Sequence, residues 1–256
     1  MAISVDSVYK TVLLILNKEQ RGYLTPEEFN KIGSQVQREI FERYFDDLNQ
    51  QLRVPQPDVN YADRILTLDE KIEPFKKEDQ AARVVGPPVH YTLPADFYKL
   101  GSVTFQPLQP DGVLPTSNFQ LSTEMQRVDR TDFYHFRKSP TITPSEKYPI
   151  YLYESNKLYV YPESINIKTG IVPAPYGQVN VQYIKKPEDI NWGYTIGSVG
   201  QFVYASGTST DFELNNSERV NVILNILMYT GVVIRDPQIV QAAVGQIQQE
   251  IVNSKQ

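Results

Sequence analysis

Cysteine is absent from this chain of 256 residues, and histidine is scarce. The lack of cysteine excludes disulfides, zinc sites built on thiolates and thiol nucleophiles. His90 and His135 are the only histidines, which excludes metal sites with several histidine ligands. No glycine-rich phosphate loop is present either. We therefore expect a protein without a catalytic centre, a metal ion or a cofactor.

Excess positive charge and long apolar runs are also missing. The net charge is −5, which argues against a broad basic surface that grips nucleic acid. A channel with a wall that repels phosphate would still let DNA pass. The longest apolar run near the N-terminus, Val12 to Leu16, is too short for a membrane span or a signal peptide. We expect no membrane association and a protein made in a cytoplasm.

Helical patterns occupy both ends of the chain. Apolar residues recur at helical spacing from Ser4 to about Gln20. The segment Thr25-Pro26-Glu27-Glu28 combines an N-cap, a proline at the first helical position and a glutamate three residues after the cap, so it predicts a capping box and a helix reaching about Val54. Two further helices are predicted near the C-terminus, beginning at Ser217 and at Asp236.

The middle of the chain has the period of β-strands. Residues 90–97 and 99–105 predict two strands joined by a tight turn, and residues 149–153 and 158–162, connected by residues 154–157, predict a hairpin. A short helix is expected from Thr131. The pattern predicts an α+β fold, in which a helical bundle from both chain ends (1–54 and 215–256) carries an inserted antiparallel β domain (89–214). Residues 55–88 are expected to form an extended arm or linker with a short helix.

Tyrosines alternate along the predicted hairpin. If Ile150, Leu152, Leu158 and Val160 all face the core, the intervening tyrosines form an outward row, and tyrosine suits interfaces because it buries much area and keeps a polar tip. The same residues are also explained by the β propensity of tyrosine alone. The candidate contact residues of this row are Tyr151, Tyr153, Tyr159 and Tyr161.

Three patterns resemble catalytic or metal sites. Residues 17–28 have the length of an EF-hand loop, but Arg21 stands where a short acidic or amide ligand is needed, so a capped helix–turn–helix is the better interpretation. No partner is placed beside either histidine to make it a base. Asp129, Asp132 and Glu146 flank aromatic residues as a glycosidase pair might, but the sequence gives no distance between them.

Three segments together resemble a known family: residues 90–100, the hairpin from Tyr148 to Pro162 with the later segment 181–187, and the helical end opening at Ser217-Glu218. In order and spacing they are similar to head–tail connector (adaptor, or ring) proteins of short-tailed bacteriophages, the crAss-like kind among them. The helix pair with Thr25-Pro26 is similar to the N-terminal end of such proteins.

The resemblance implies a homo-oligomeric ring of about twelve copies, docked on the portal protein at the capsid vertex. It implies a central channel through which DNA passes without sequence-specific binding, and a β domain presented to the next tail or ring component. Such a protein is assembled in the bacterial cytoplasm and resides in the virion. We expect the terminal helices to make the contacts between subunits. We also expect the loop at 106–121 or the tail to reach a neighbouring ring, the tail residues being Val252, Asn253, Ser254, Lys255 and Gln256.

Two other classes of function remain open from the sequence. The tyrosine row could serve a glycan- or protein-binding module of a virion or cell surface. A glycosidase is the enzymatic alternative, although the missing cysteine and histidine machinery disfavours it.

Overall fold

The chain forms two compact units, Met1–Pro74 with Pro187–Gln256, and Phe75–Lys186. The computed structural model describes residues 2–18, 23–53, 68–86, 88–107, 122–165, 177–234 and 241–249. Helices and mainly antiparallel sheets both contribute to these residues, which confirms the predicted α+β class.

The helices are concentrated in the first unit, as the apolar spacing predicts. Within this unit α5 packs against both α1 and α2. The predicted apolar stripe of the first helix is buried, including Val8 and Val12. In chain order the helices are α1 (Val5–Lys18), α2 (Pro26–Arg53), α3 (residues 68–72), α4 (Arg130–Lys138), α5 (Arg219–Ile234) and α6 (residues 241–249).

The start of α2 contains the predicted capping box. The Thr25 amide donates to Glu28 Oε2 at 3.0 Å, and the Glu28 amide donates to Thr25 Oγ1 at 3.4 Å. Hydrogen bonds from Thr25 lower the pKa of the Glu28 carboxyl. Leu24 and Phe29, at the positions of a hydrophobic staple, are both buried.

Thirteen strands follow in chain order within the described residues. In the first unit β1 pairs with β13 and β11 pairs with β12. The strands are β1 (Ala2–Ile3), β2 (Lys76–Gln80), β3 (Ala82–Val84), β4 (His90–Thr92), β5 (Phe97–Pro107), β6 (Thr123–Glu124), β7 (Gln126–Arg127), β8 (Ile150–Glu154), β9 (Lys157–Tyr161), β10 (Gly177–Lys185), β11 (Tyr194–Ile196), β12 (Phe202–Tyr204) and β13 (Phe212–Asn215).

The second unit closes into a barrel. One sheet has the order β2-β10-β5-β6 and the other β3-β4-β9-β8-β7. Strands β2 and β3 are one continuous segment interrupted at Ala81, and β6 and β7 are another interrupted at Met125, so each segment passes from one sheet to the other. At these corners the Ala81 amide donates to the Val179 carbonyl and the Met125 amide to the Val103 carbonyl, both at 2.9 Å.

The barrel interior is filled by alternate residues of the two sheets. Val179, Val181 and Tyr183 of β10 point inward, as the alternation along this strand predicts. They meet residues of the opposite sheet, including Leu158 and Val160. This core belongs entirely to the second unit, so the barrel carries its own hydrophobic stabilisation.

Two predicted features of the β region are wrong. Strands β4 and β5 do not form a hairpin, because β4 pairs with β3 and β9 whereas β5 pairs with β10 and β6. The chain turns at Pro94–Asp96 from one sheet into the other, and there the Lys186 amide donates to the Asp96 carbonyl at 2.7 Å. The short helix predicted within 55–88 is present at residues 68–72, but residues 76–84 form barrel strands instead of an arm or linker.

The predicted boundary of the β domain at residue 214 is also displaced. Residues 187–214 belong to the first unit with the terminal helices, and the barrel ends at Lys186. Strands β11, β12 and β13 therefore belong to the helical unit. The reason is that side chains of α2 form hydrogen bonds with the backbone of this segment, as described below.

Candidate functional site

The predicted tyrosine row depends on the register of the hairpin formed by β8 and β9. Glu154 lies opposite Lys157, so only Ser155 and Asn156 form the turn, and both have positive φ angles, 51° and 60°. A two-residue turn places residues of opposite parity across from each other. The four aliphatic residues therefore cannot share one face, and the predicted outward row is wrong.

The four tyrosines divide between the two faces of the hairpin. Tyr151 is 4% exposed and lies in the barrel core, with Tyr153 packed against that core. Tyr159 and Tyr161 lie on the other face, where the Tyr161 ring contacts the Phe133 ring of α4 at a centroid distance of 4.4 Å. All but Tyr151 are half-buried. The predicted tail contacts, Val252 to Gln256, and residues 108–121 of the predicted docking loop lie outside the described residues.

The candidate chemical sites of the sequence are dispersed. Among the described residues no group of three histidine or acidic side chains could hold a metal ion. His90 Nδ1 lies 3.1 Å from the Pro88 carbonyl, and the His135 side chain is exposed on α4. Asp129 and Asp132 line an open depression that Glu146 does not reach. In the EF-hand-like segment, the carboxylate of Glu28 is engaged by the cap of α2.

A different surface stands out in the first unit. Residues 190–210, here called the neutral arm, form the longest stretch of the chain without a charged residue or a histidine. They contain strands β11 and β12, which pair from Tyr194 with Tyr204 to Ile196 with Phe202. The sequence carried this signal as a gap in charge, and periodicity alone does not reveal it.

The base of the neutral arm is fastened to α2 by polar side chains. The Gln37 side chain donates to the Glu188 carbonyl at 2.6 Å and accepts from the Glu213 amide at 2.9 Å. Ser34 Oγ accepts from the Ile190 amide at 3.1 Å, and Asn30 accepts from the Trp192 amide at 2.7 Å. These side chains occupy one face of α2 and form hydrogen bonds with the backbone at the base of the arm, as a neighbouring strand would.

A glycine of the same helix face allows the close approach. A Cβ atom at Gly33 would lie 2.4 Å from Ile190 Cδ1 and 3.4 Å from the Phe212 ring. This contact and the polar ladder of Asn30, Ser34 and Gln37 together explain why residues 187–214 join the helical unit.

Trp192 anchors the arm from the side of α1. Its indole Nε1 donates to Asp6 Oδ1 at 3.2 Å, and its ring lies 4.5 Å from the Tyr9 ring, measured between centroids. The rings of Tyr194 and Tyr204 lie at 6.1 and 5.7 Å from the same indole. An aromatic group therefore holds the first residue pair of the ribbon against the helices.

The two chains of the arm are also tied to each other at the base. The Thr210 amide donates to the Asn191 carbonyl at 2.7 Å, and the Ala205 amide donates to the Gly193 carbonyl at 2.9 Å. A Cβ atom at Gly193 would lie 2.1 Å from Thr208 Oγ1 and 2.9 Å from the Thr208 carbonyl carbon, so only glycine fits.

The far end of the arm is apolar and open to solvent. Val199 is 88% exposed and Ile196 is 71% exposed, and Phe202 and Val203 are exposed as well. Ile196 and Phe202 lie opposite each other, on the same ribbon face as Tyr194 and Tyr204. The turn is closed by the Gly197 amide bonded to the Gln201 carbonyl at 2.9 Å. A firmly based ribbon with an apolar, uncharged end is suited to protein contact, because its burial requires no desolvation of charge.

The comparisons with known proteins leave the family undetermined. No protein-family model matches the chain, and no curated protein matches its sequence. Within the described part of the chain, none of the helices combines the length and apolar character needed to cross a bilayer.

Proposed function

We propose that the chain is a structural virion protein that forms a ring between the portal and the tail of a short-tailed bacteriophage. The ring leaves a central channel for DNA during packaging, retention and ejection, and performs no catalysis. The proposal rests on the family resemblance of the sequence, and the neutral arm is the structural observation that supports it best.

The arm supports an assembly role because of where its apolar groups lie. Isolated apolar side chains on a surface need no explanation, but Ile196, Val199 and Phe202 cluster at the end of one anchored ribbon. Full burial of a side chain of this size contributes roughly 1.5–3 kcal/mol. A contact that covers this end can therefore contribute several kcal/mol per subunit, which is appropriate for one of many repeated contacts in an assembly.

The negative net charge of the chain favours a channel through which DNA passes over a surface that binds DNA tightly. The chain has a net charge of −5, and its neutral arm offers no lysine or arginine to a phosphate. Tight non-specific binding of DNA depends on several such cations. We expect the protein to bind duplex DNA weakly and with no sequence preference.

The glycan-binding alternative loses the surface on which it depended. Tyr151 is in the barrel core, and Tyr161 packs on α4, so the hairpin offers no continuous row of tyrosines to a sugar. The assembly role is therefore the function that we carry forward.

Imaging and sizing test the proposal together. The purified chain, alone at high concentration and mixed with portal proteins of crAss-like phages, is examined by analytical ultracentrifugation and negative-stain electron microscopy. The expected result is a ring with an open centre, either free or seated on the portal. A chain that stays monomeric, ignores every portal tested and retains or cleaves a glycan would overturn the proposal.

A further inference from the structure

The two strands of the neutral arm each leave one edge without a neighbouring strand. Among the described residues β11 and β12 pair only with each other. Next to the turn, the Gly197 amide donates to the Gln201 carbonyl at 2.9 Å. Hydrogen-bonded and non-hydrogen-bonded pairs alternate along an antiparallel ladder. Thr195 and Val203, two residues further along, therefore turn their backbone groups toward each other, and the residues on either side of each turn theirs outward.

The outward backbone groups of β12 belong to Phe202 and Tyr204. The side chains of Phe202 and Val203 are exposed, so this edge is accessible. Native sheets commonly protect such an edge with charged side chains or proline. The neutral arm contains neither. Five other edge strands among the described residues each carry charge: β2 with Lys76 and Glu78, β3 with Arg83, β6 with Glu124, β7 with Arg127 and β13 with Glu213.

The unpaired edge and the apolar end of the arm together specify the kind of partner. A helix could cover the apolar side chains, but its own backbone groups are bonded within the helix and are not free to pair with the edge. The hydrocarbon of a bilayer would leave the edge amides and carbonyls unsatisfied, which is why open sheet edges do not occur there. An extended strand meets both requirements, because it supplies backbone hydrogen bonds and covers the neighbouring side chains.

The sequence of β12 matches a second copy of itself in antiparallel orientation. A two-fold axis at Val203 places Phe202 of each copy opposite Tyr204 of the other, and each of these pairs exchanges two backbone hydrogen bonds. The same register sets aromatic rings together on one face and the two valines together on the other, and both are favourable cross-strand pairs. No like charges are brought together, since the arm carries none.

We propose that two copies of the chain associate edge to edge through β12, so that two neutral arms form one antiparallel sheet with Val203 at its two-fold axis. A two-fold contact joins two copies and does not continue into a ring. The inference therefore goes beyond the proposed function and does not depend on it. Stable interfaces bury roughly 800 Å² and about 20–30 residues on each partner. The pairing of one short strand is much smaller, so the expected species is a weak dimer that forms at high concentration.

Strand β11 presents the competing edge of the same ribbon. A two-fold axis on that edge would lie at Thr195 and would set two threonine hydroxyls against each other, where β12 sets two valine side chains. Covering a hydroxyl costs free energy unless it finds a hydrogen-bond partner. The edge of β12 is therefore the better one for self-pairing.

A single introduced cysteine tests the pairing without background, because the natural chain has no cysteine. Opposed residues of a non-hydrogen-bonded pair have Cα atoms about 4.5 Å apart, which a disulfide can span. Val203→Cys, oxidised at high concentration, should therefore give a dimer on a non-reducing gel that reverts to monomer on reduction. The matched controls are Thr195→Cys, on the other edge, and Val199→Cys, at the turn. Val199 is more exposed than Val203, but the proposed register holds its two copies more than about 20 Å apart. Both controls should cross-link at least tenfold more slowly.

A charge exchange at the same position provides a second measurement. Val203→Lys and Val203→Glu each place two like charges at the two-fold axis, so each should weaken the dimer at least tenfold in analytical ultracentrifugation. An equal mixture of the two variants should restore association, because residue 203 of one copy then meets the opposite charge on the other. Folding of each variant is checked by the fluorescence of Trp192, the only tryptophan.

Each outcome has a distinct meaning. A dimer through Val203→Cys, together with rescue in the mixture of charge variants, supports pairing through β12. A faster cross-link from Thr195→Cys or Val199→Cys, or a mixture that associates no better than its separate components, contradicts it. A natural chain that stays monomeric at every concentration but forms rings on a portal contradicts the pairing alone. A chain that forms the dimer and never a ring contradicts the proposed function and leaves the pairing in place.

Discussion

Replacement of Gln37 by leucine should weaken the attachment of the base of the neutral arm to α2. Gln37 is 1% exposed, and its side chain bonds the Glu188 carbonyl and the Glu213 amide. Leucine has a similar volume and leaves both backbone groups without this partner. Both bonds are only partly buried, and a hydrogen bond contributes about 0.5–1.5 kcal/mol, so the free energy of unfolding of the first unit should fall by about 1–3 kcal/mol.

Urea unfolding followed by the fluorescence of Trp192 measures this loss directly. The indole is buried and lies at the end of the same polar ladder, so its signal reports on the first unit. The control is Gln35→Leu, the same change at an exposed position of α2, which should alter stability by no more than about 0.5 kcal/mol. If Gln37→Leu is as stable as this control, the polar ladder does not hold the arm and our account of residues 187–214 is wrong.

Three further predictions concern the cap, the arm and acid stability. Thr25→Ala should destabilise the protein by about 1 kcal/mol in urea titrations, whereas Thr25→Ser should be neutral; equal loss in both would contradict a role for the hydroxyl. Gly193→Ala should cost about 1–3 kcal/mol by the same assay, because its Cβ would overlap Thr208, and an unchanged midpoint would contradict that close approach. The hydrogen bond from Lys77 lowers the pKa of Asp96, so its stabilisation is complete above about pH 4 and is lost as the pH falls through the folded value. Asp96→Asn should therefore flatten the acid-induced loss of stability measured by circular dichroism, and an unaltered pH profile would contradict the assignment.

Local signals in the sequence predicted local structure well. The capping box at Thr25 and Glu28 depends on four consecutive positions of one chain segment, and the structure confirms each of its bonds. The helical spacing at both ends and the alternation along β10 are local in the same sense. These features are read correctly because the residues that decide them are neighbours in sequence.

The errors arose where strand pairing decides which face a side chain occupies, or where distant residues meet. A connection of either two or four residues places Tyr153 opposite Leu158, so the even-numbered aliphatic residues of the two strands cannot share a face, and Tyr151 lies in the core with Val160. The pairing of Gln37 with Glu188 and Glu213 spans more than 150 residues of chain, and polar residues on a helix are ordinarily assigned to solvent. Periodicity therefore could not place residues 187–214 with the helices.

The neutral arm was visible in the sequence through its lack of charged residues, not through periodicity. The stretch from Ile190 to Thr210 lacks charge altogether, and several of its apolar residues are exposed. The exposed end of this segment has neither a buried face nor a reactive group, which are the features that sequence patterns usually reveal. A search for long uncharged stretches near turns would have identified it as an exposed apolar segment.

The central claim is that this chain acts through contact with its own copies and with adjoining proteins. Electron microscopy of the chain mixed with a cognate portal tests that claim most directly. We expect a closed ring of this chain on the portal, with an open channel. Bare portals beside dispersed monomers, at every concentration and with every portal examined, would contradict it.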